Sequence, residues 1–135
     1  AVTFGGEYQF GNFSIGAVYE RTSSSLANST AVPATAAFDQ TQDSYGVVGG
    51  YKAGPLALQV RLARANDVKG TAITDTGAWQ AGIAMNYQFH KYLAAIVSLT
   101  RLRNDRNATF TSASGFVLDK GNSMTQVAVG LAASF

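Results

Sequence analysis

The sequence predicts an all-β fold: seven long antiparallel strands that form part of a transmembrane β-barrel. Three observations predict it. Apolar residues recur at every second position through segments of about ten residues, a period of two with no helical moment. Only 13% of the residues are Asp, Glu, Lys or Arg, about half of the ~25% that a soluble surface normally carries. Short and long connections alternate strictly along the chain, as they do between the two ends of a barrel that crosses a membrane.

Composition removes several rivals. The 135 residues include 14 glycines, 6 tyrosines and 8 phenylalanines, and 47% are hydrophobic. No apolar run approaches the ~18 residues that a helical span requires. There are no cysteines, so disulfides, thiolate metal sites and thiol nucleophiles are out of reach. A formal charge of +2, scattered along the chain, gives no footprint for nucleic acid. Ala1 is not preceded by a methionine, a basic segment or an apolar stretch, and the expectation is a chain that has been processed or cut.

The strands follow in order at about 2–10, 13–24, 43–53, 56–68, 77–89, 92–104 and 122–135. The first sets Val2, Phe4, Gly6, Tyr8 and Phe10 against Thr3, Gly5, Glu7 and Gln9. The second sets Phe13, Ile15, Ala17 and Tyr19 against Ser14, Gly16, Val18 and Glu20. In the third, Tyr45, Val47, Gly49 and Tyr51 oppose Ser44, Gly46, Val48, Gly50 and Lys52; in the fourth, Leu56, Leu58, Val60 and Leu62 oppose Ala57, Gln59, Arg61 and Ala63. The fifth alternates longest, with Trp79, Ala81, Ile83, Met85, Tyr87 and Phe89 on one side. The sixth admits two phases, one with Tyr92 and Ile96 outward and one with Leu93, Val97 and Leu99 outward. The last runs Thr125, Val127, Val129, Leu131, Ala133 and Phe135 against Gln126, Ala128, Gly130, Ala132 and Ser134.

Soluble sandwiches and barrels also alternate, so charge decides which side is wet. The mid-strand charges Glu7, Glu20, Lys52 and Arg61 all fall on the Gly- and Gln-rich side, which suits a watery lumen, while the apolar side suits lipid. Trp79 and Phe89 lie ten steps apart, and ten steps of ~3.3 Å tilted by ~45° project about 23 Å, close to the ~25 Å apolar band between aromatic girdles. Tyr8, Phe10, Phe13, Tyr51, Phe89, Tyr92 and Phe135 gather at the opposite strand ends, and with Trp79 and Tyr87 they are the expected membrane-interface aromatics.

Tight turns are expected at Gly11-Asn12, Gly54-Pro55 and His90-Lys91. Gly-Asn suits a type II′ hairpin, since glycine accepts a positive φ, whereas His-Lys carries no such signature. The connections at about 25–42, 69–76 and 105–121 are longer and rich in Ser, Thr, Asn and Asp. Long loops mark the extracellular side, which sends the last strand down to a periplasmic Phe135 and starts the first at the extracellular end. Seven strands with open edges would leave unpaired backbone in lipid, so at least one earlier strand is expected.

Three segments carry a family resemblance: Phe4-Gly-Gly-Glu-Tyr-Gln-Phe10 with its Gly-Asn turn and Ile15-Gly-Ala-Val-Tyr-Glu20; Met85-Asn-Tyr-Gln-Phe-His-Lys-Tyr92; and Val127-Ala-Val-Gly-Leu-Ala-Ala-Ser-Phe135. Together they make the chain resemble the Gram-negative general diffusion porins, particularly the trimeric type of betaproteobacteria. The resemblance implies a barrel of roughly sixteen strands in the outer membrane, with residues 1–135 as its C-terminal part. It further implies contacts with lipid and lipopolysaccharide, a homotrimer, and a C-terminal Phe135 read by the barrel-assembly machinery. The constricting loop of such porins belongs to the N-terminal half and has no counterpart here.

The expected function is passive diffusion of small hydrophilic solutes and ions, with no catalysis, metal or cofactor. Glu7, Glu20, Lys52 and Arg61 are the expected pore-lining charges, and Arg101 and Arg103 join them if Tyr92 and Ile96 point outward. Basic residues in the wall suggest a weakly anion-favouring pore, although solvated wall charge is the plainer role. His90, the single histidine, sits at a turn with no Ser or Asp to form a catalytic group. Asp39, Asp43, Asp67, Asp75, Asp105 and Asp119 lie in or beside long loops without calcium-loop spacing; they serve loop solubility or divalent bridging to lipopolysaccharide. Asn28-Ser-Thr30 and Asn107-Ala-Thr109 match glycosylation acceptors, which mean little in such a barrel. Two rivals stand: a small non-conducting outer-membrane barrel with a structural or adhesive role, whose eighth strand would have to be Ala108–Leu118, and a soluble β-barrel binding an apolar ligand.

Overall fold

A computed structural model describes residues 1–26, 38–111 and 118–133. Seven antiparallel strands form one sheet in chain order: β1 (Val2–Phe10), β2 (Phe13–Leu26), β3 (Phe38–Ala53), β4 (Leu56–Ala65), β5 (Ala78–His90), β6 (Leu93–Asn104) and β7 (Ser123–Ala133). No helix occurs among the described residues. The sheet is not closed: β1 pairs only with β2 and β7 only with β6. The eighth-strand candidate of the small-barrel rival finds no strand among its described residues, and part of it lies outside them.

Strand boundaries depart from the sequence expectation where polar residues carry the ladder onward. β2 runs to Leu26 instead of residue 24 and β3 starts at Phe38 instead of residue 43, with Ser23 opposite Thr41 and Ser25 opposite Asp39. Ser, Thr and Gln read as loop by polarity, yet a pair already in register adds each further rung at little entropic cost, and Thr suits an extended chain. β4 stops at Ala65 instead of residue 68, because the following residues leave β5 and cross back to β3: Asn66 N donates to Asp43 O at 2.9 Å, and Thr41 and Lys69 exchange backbone bonds of 3.1 and 2.8 Å.

Two of the three tight turns lie where glycine places them. Gly11 and Gly54 have φ of 57° and 54°, and Asn12 and Pro55 after them stay at negative φ, the type II′ pattern whose twist matches that of the strands. The third turn is Lys91-Tyr92, not His90-Lys91. With no glycine there, neither residue takes a positive φ, and a β-bulge absorbs the misfit. Gln88 pairs with Ala94 and His90 with Leu93, leaving Phe89 as the extra residue. Gln88 Nε2 reinforces the bulge by donating to His90 O at 2.6 Å.

The bulge settles the phase of β6, since a one-residue slip turns every side chain to the other face. Val97 sits opposite Met85, Leu99 opposite Ile83, Arg101 opposite Ala81 and Arg103 opposite Trp79. Arg101 and Arg103 therefore lie on the apolar face, which corrects their expected place beside Arg61. The phase with Leu93, Val97 and Leu99 on the apolar side is the one adopted.

Cross-strand pairs lie side by side on the same face, so chained registers define rows across the sheet. One apolar row reads Phe10, Phe13, Tyr51, Leu58, Met85, Val97 and Val129; the next reads Tyr8, Ile15, Gly49, Val60, Ile83, Leu99 and Val127. Among the described residues no second layer covers this face. Tyr8 is 68% exposed and Val129 75%, so the two rows form a contiguous bare apolar surface of a kind that soluble monomers rarely leave. The apolar residues that are buried, Ala78, Ala94, Leu102 and Ala108, do not lie in these two rows.

The turns carry a direct test. A Cβ at Gly11 would meet nothing within 4 Å, so Gly11→Val acts through the backbone alone, and forcing an L residue into that conformation costs about 1–2 kcal/mol. Urea unfolding of the lipid-reconstituted protein is expected to show that loss, while Gly6→Ala, with free space and an ordinary φ, leaves the midpoint in place.

Candidate functional site

The polar face is built from residues one step out of phase with the apolar rows. Its central row runs Glu7, Gly16, Val48, Arg61, Gly82, Thr100 and Gln126. Gly82 on β5, beside Arg61, lets the arginine side chain lie along the wall. Arg61 Nη2 donates to Thr100 Oγ1 at 3.4 Å, two strands away. The guanidinium passes over Gly82, where a Cβ would stand 3.0 Å from Arg61 Nε and 3.3 Å from Thr100 Oγ1; glycine here is a matter of clearance.

Lys52 lies nearer the turns, in the row Lys52, Ala57, Asn86, Ile96 and Gly130. It edges a cavity of about 710 Å³ whose polar-face lining includes Gln9, Ser14, Gln59 and Asn86. Glu20 stands toward the loops, where Thr3 Oγ1 and Thr22 Oγ1 donate to its carboxylate at 3.4 and 3.2 Å. The polar face thus holds Glu7 and Glu20 on β1 and β2, and Lys52 and Arg61 on β3 and β4. All four are at least partly exposed.

The turn-side aromatics form a contact chain on the apolar face. Ring centroids are 6.0 Å apart for Tyr8 and Phe10, 5.7 Å for Phe10 and Phe13, and 4.9 Å for Phe13 and Tyr51; Tyr87 and Phe89 meet edge-on at 5.0 Å. Trp79 lies at the other strand ends, in the row Phe4, Tyr19, Tyr45, Arg64, Trp79, Arg103 and Ser123. Phe135 lies outside the described residues, as does Asn28-Ser-Thr30.

At the loop ends the apolar face is not free of charge, contrary to the sequence reading. Asp43 is 7% exposed and accepts from four donor atoms: Arg21 Nε at 2.6 Å and Nη2 at 3.2 Å, Tyr19 OH at 2.7 Å and Lys69 Nζ at 3.0 Å. Arg64 Nη2 pairs with Asp105 at 2.7 Å. These ion pairs fasten the loops to the sheet. Asp67 draws in the segment after β4 by accepting from Thr76 N at 2.8 Å and Gly77 N at 2.9 Å. Asn107 then ties it to the segment after β6, donating from Nδ2 to Thr74 O at 2.8 Å.

A second missed feature lies on the polar side of β6. Asn104, 3% exposed, donates from Nδ2 to Phe110 O at 3.0 Å and accepts from Phe110 N at 3.1 Å, pairing like a strand residue through its side chain. Residues 105–111 are thereby folded over the polar face, where Ala108 is 3% exposed. An Asn ending a strand is an ambiguous signal, because its amide serves solvent, turns and caps equally well.

The remaining loop groups build no reaction centre. No group of three or more His, Asp or Glu able to hold a metal occurs among the described residues. Asp39 lies at the start of β3 and Asp75 and Asp119 lie in the loops, and Asp75 is the one described non-glycine residue at positive φ, 57°. His90 meets the Tyr92 ring at a tilt, with centroids 5.6 Å apart, and has no Ser or Asp partner among the described residues.

Long paired strands with a bare apolar face and a polar face of small, amide and charged residues match one family: the sequence profile described as Gram-negative porin fits residues 1–107. The chain belongs to the Gram-negative porin family. Comparison with curated proteins and with solved structures returned no match. The family is one of non-enzymatic diffusion channels integral to the outer membrane, so lipid surrounds the porin wall.

Two measurements check this geometry. Asp43→Asn removes the charge that holds both Arg21 and Lys69, and amide exchange at Asn66 and Lys69 is expected to accelerate while exchange in the middle of β3 stays protected. Trp79 is the single tryptophan of the porin, and lipids brominated near the interface are expected to quench its fluorescence more strongly than lipids brominated at the chain ends. Insensitivity to both would mean that its face does not meet lipid.

Proposed function

We propose that this porin wall lines a water-filled channel through which small hydrophilic solutes and ions diffuse passively across the bacterial outer membrane. The observation that carries the reading is the separation of the two faces: Arg61 and Glu7 mid-strand, and Lys52 nearer the turns, project among Gly, Ser, Gln and Asn, while the reverse side of that span is apolar. A face that keeps charges solvated without ion-pair partners needs water, and a bare apolar face needs hydrocarbon. The turn-side aromatics and Trp79 then serve as the two interface girdles.

Further strands complete the wall in this reading, because the free edges of β1 and β7 expose backbone groups that hydrocarbon cannot satisfy. The chain supplies the C-terminal part of a barrel of roughly sixteen strands, with the long loops outside the cell. A homotrimer, contact with lipopolysaccharide, and recognition of Phe135 by the assembly machinery are the partners proposed with it.

With Arg101 and Arg103 on the apolar side, the basic residues left for the lumen are Lys52 and Arg61, opposed by Glu7 and Glu20. This balance favours a weakly selective channel whose charges are segregated laterally, not a strongly anion-selective one.

Single-channel recording on the full-length protein in planar bilayers tests the proposal. Stepwise conductance in salt is expected, and a reversal potential across a salt gradient close to that of an unselective pore. Lys52→Gln with Arg61→Gln should move the cation-to-anion permeability ratio upward by about twofold. Well-inserted protein without conductance would support the non-conducting barrel, and a monodisperse state free of detergent would support the soluble one.

A further inference from the structure

Along the central row of the polar face, the wall differs on the two sides of Arg61. Toward β1 stands Val48, which leans over β2 so closely that a Cβ at Gly16 would lie 3.0 Å from its Cγ1. Toward β7 stands Gly82, with no side chain, and then Thr100. An arginine on β4 thus meets a branched side chain in one direction and a saddle in the other. Its side chain takes the saddle: a Cβ at Gly82 would be 3.0 Å from Arg61 Nε and 3.3 Å from Arg61 Cγ, and Arg61 Nη2 donates to Thr100 Oγ1 at 3.4 Å.

This path moves charge sideways. Neighbouring strands are ~4.8 Å apart, so the backbones of β4 and β6 stand about 10 Å from each other, within the combined reach of an arginine and a threonine. Glu7 lies in the same row on the opposite side, three strands or about 14 Å from Arg61 but five strands or about 24 Å from Thr100 along the wall. Arg61 and Glu7 could close the shorter span if both side chains reached along the row; they cannot close the longer one. At physiological salt the Debye length is ~8 Å, so a guanidinium held at Thr100 acts as a separate cation and leaves Glu7 a separate anion. Arg61 has no carboxylate partner among the described residues.

One long hydrogen bond between solvated groups contributes little to folding. Its effect is on where the charge rests, and the saddle at Gly82 and the wall at Val48 give it direction.

Resting on the channel reading above, we propose that Gly82 and Thr100 are positioning residues for Arg61: Gly82 opens the path across β5, and Thr100 holds the guanidinium at its far end, apart from Glu7. The transverse field of the lumen is then set by a hydroxyl and a missing side chain as well as by the charged residue itself.

The full-length protein tests this in planar bilayers and in nanodiscs. Thr100→Val keeps the shape and strand preference of the side chain but removes the acceptor, and Gly82→Val fills the saddle with a residue that favours strands. Once released, Arg61 pairs with Glu7 and neither charge gathers counterions. Single-channel conductance in about 0.05 M salt is therefore expected to fall about 1.5-fold in each variant, and to stay unchanged in about 1 M salt, where the Debye length is ~3 Å. Thr100→Ser, which keeps the hydroxyl, is expected to match the unaltered protein. In an Arg61→Gln background neither valine substitution should change the conductance further, whereas a merely structural effect would persist there. In nanodiscs, NMR relaxation of the Arg61 Nε–H is expected to show an ordered group in the unaltered protein and in Thr100→Ser, and a mobile one in Thr100→Val. Equal mobility in all three would overturn the proposal, as would a low-salt conductance that Thr100→Val leaves intact or a loss that survives Arg61→Gln. An ordered Arg61 that Thr100→Val loosens, in a protein that does not conduct, keeps the positioning and defeats the channel reading alone.

Discussion

The backbone of this porin has to be satisfied by its neighbouring strands, because neither water nor a packed core is available to do it. In hydrocarbon each unpaired amide or carbonyl costs several kcal/mol, and the sheet is one layer thick, so strand pairing is the whole of its scaffold. Register is then more than detail. It alone decides which side chains meet oil and which meet water, since β1 through β7 have no second sheet whose shape could reject a slipped strand. The devices that hold register are local: glycine at positive φ in the turns before Asn12 and Pro55, and the Phe89 bulge where glycine is missing.

That dependence explains what could be read from the sequence. β1 to β5 alternate strongly, and their faces follow from Phe4 and Tyr8, Ile15 and Ala17, Val47, Val60 and Ile83 without reference to any other strand. β6 does not alternate strongly. Ala94, Ala95, Ile96 and Val97 are apolar on both sides, so its phase had to come from its partner, and it arrives through a bulge that a linear pattern of residues does not display. The same ambiguity hid the ion pairs. Asp43 was legible as a carboxylate in or beside a long loop, but its partners Arg21 and Lys69 lie 22 and 26 residues away in sequence, and only the register of β2 against β3 puts Arg21 opposite it.

The loop ends of the sheet are stabilised differently from its middle. Mid-strand, ladder bonds and lipid suffice, and the side chains there are simple: Val47, Leu62, Ala81, Val127. Toward the loops, the segment after β4 is bound to β3 through Asn66 and Lys69, closed on itself by Asp67, and joined by Asn107 to the segment after β6. Charged hydrogen bonds are effective at this level because the surroundings are drier than bulk water and Asp43 is itself nearly buried. Exposed pairs of the same geometry would contribute little. The result is that the described segments after β4 and β6 are fastened to the wall and to each other.

The segment after β6 bears on conduction in the proposed channel. Residues 105–111 are held beside the polar face by the Asn104 amide against Phe110, at the loop end of the sheet beyond the row that carries Arg61. A solute entering there passes the Glu20 level before it reaches Arg61 and Glu7, and Lys52 lies further on toward the turns. Charges of opposite sign are thus met across neighbouring strands, where a transverse field orients a dipolar solute without trapping an ion of either sign. Weak selectivity then follows from the placement of four side chains on four strands, and it depends on the same register that sends Arg101 and Arg103 out of the lumen and into the lipid-facing edge.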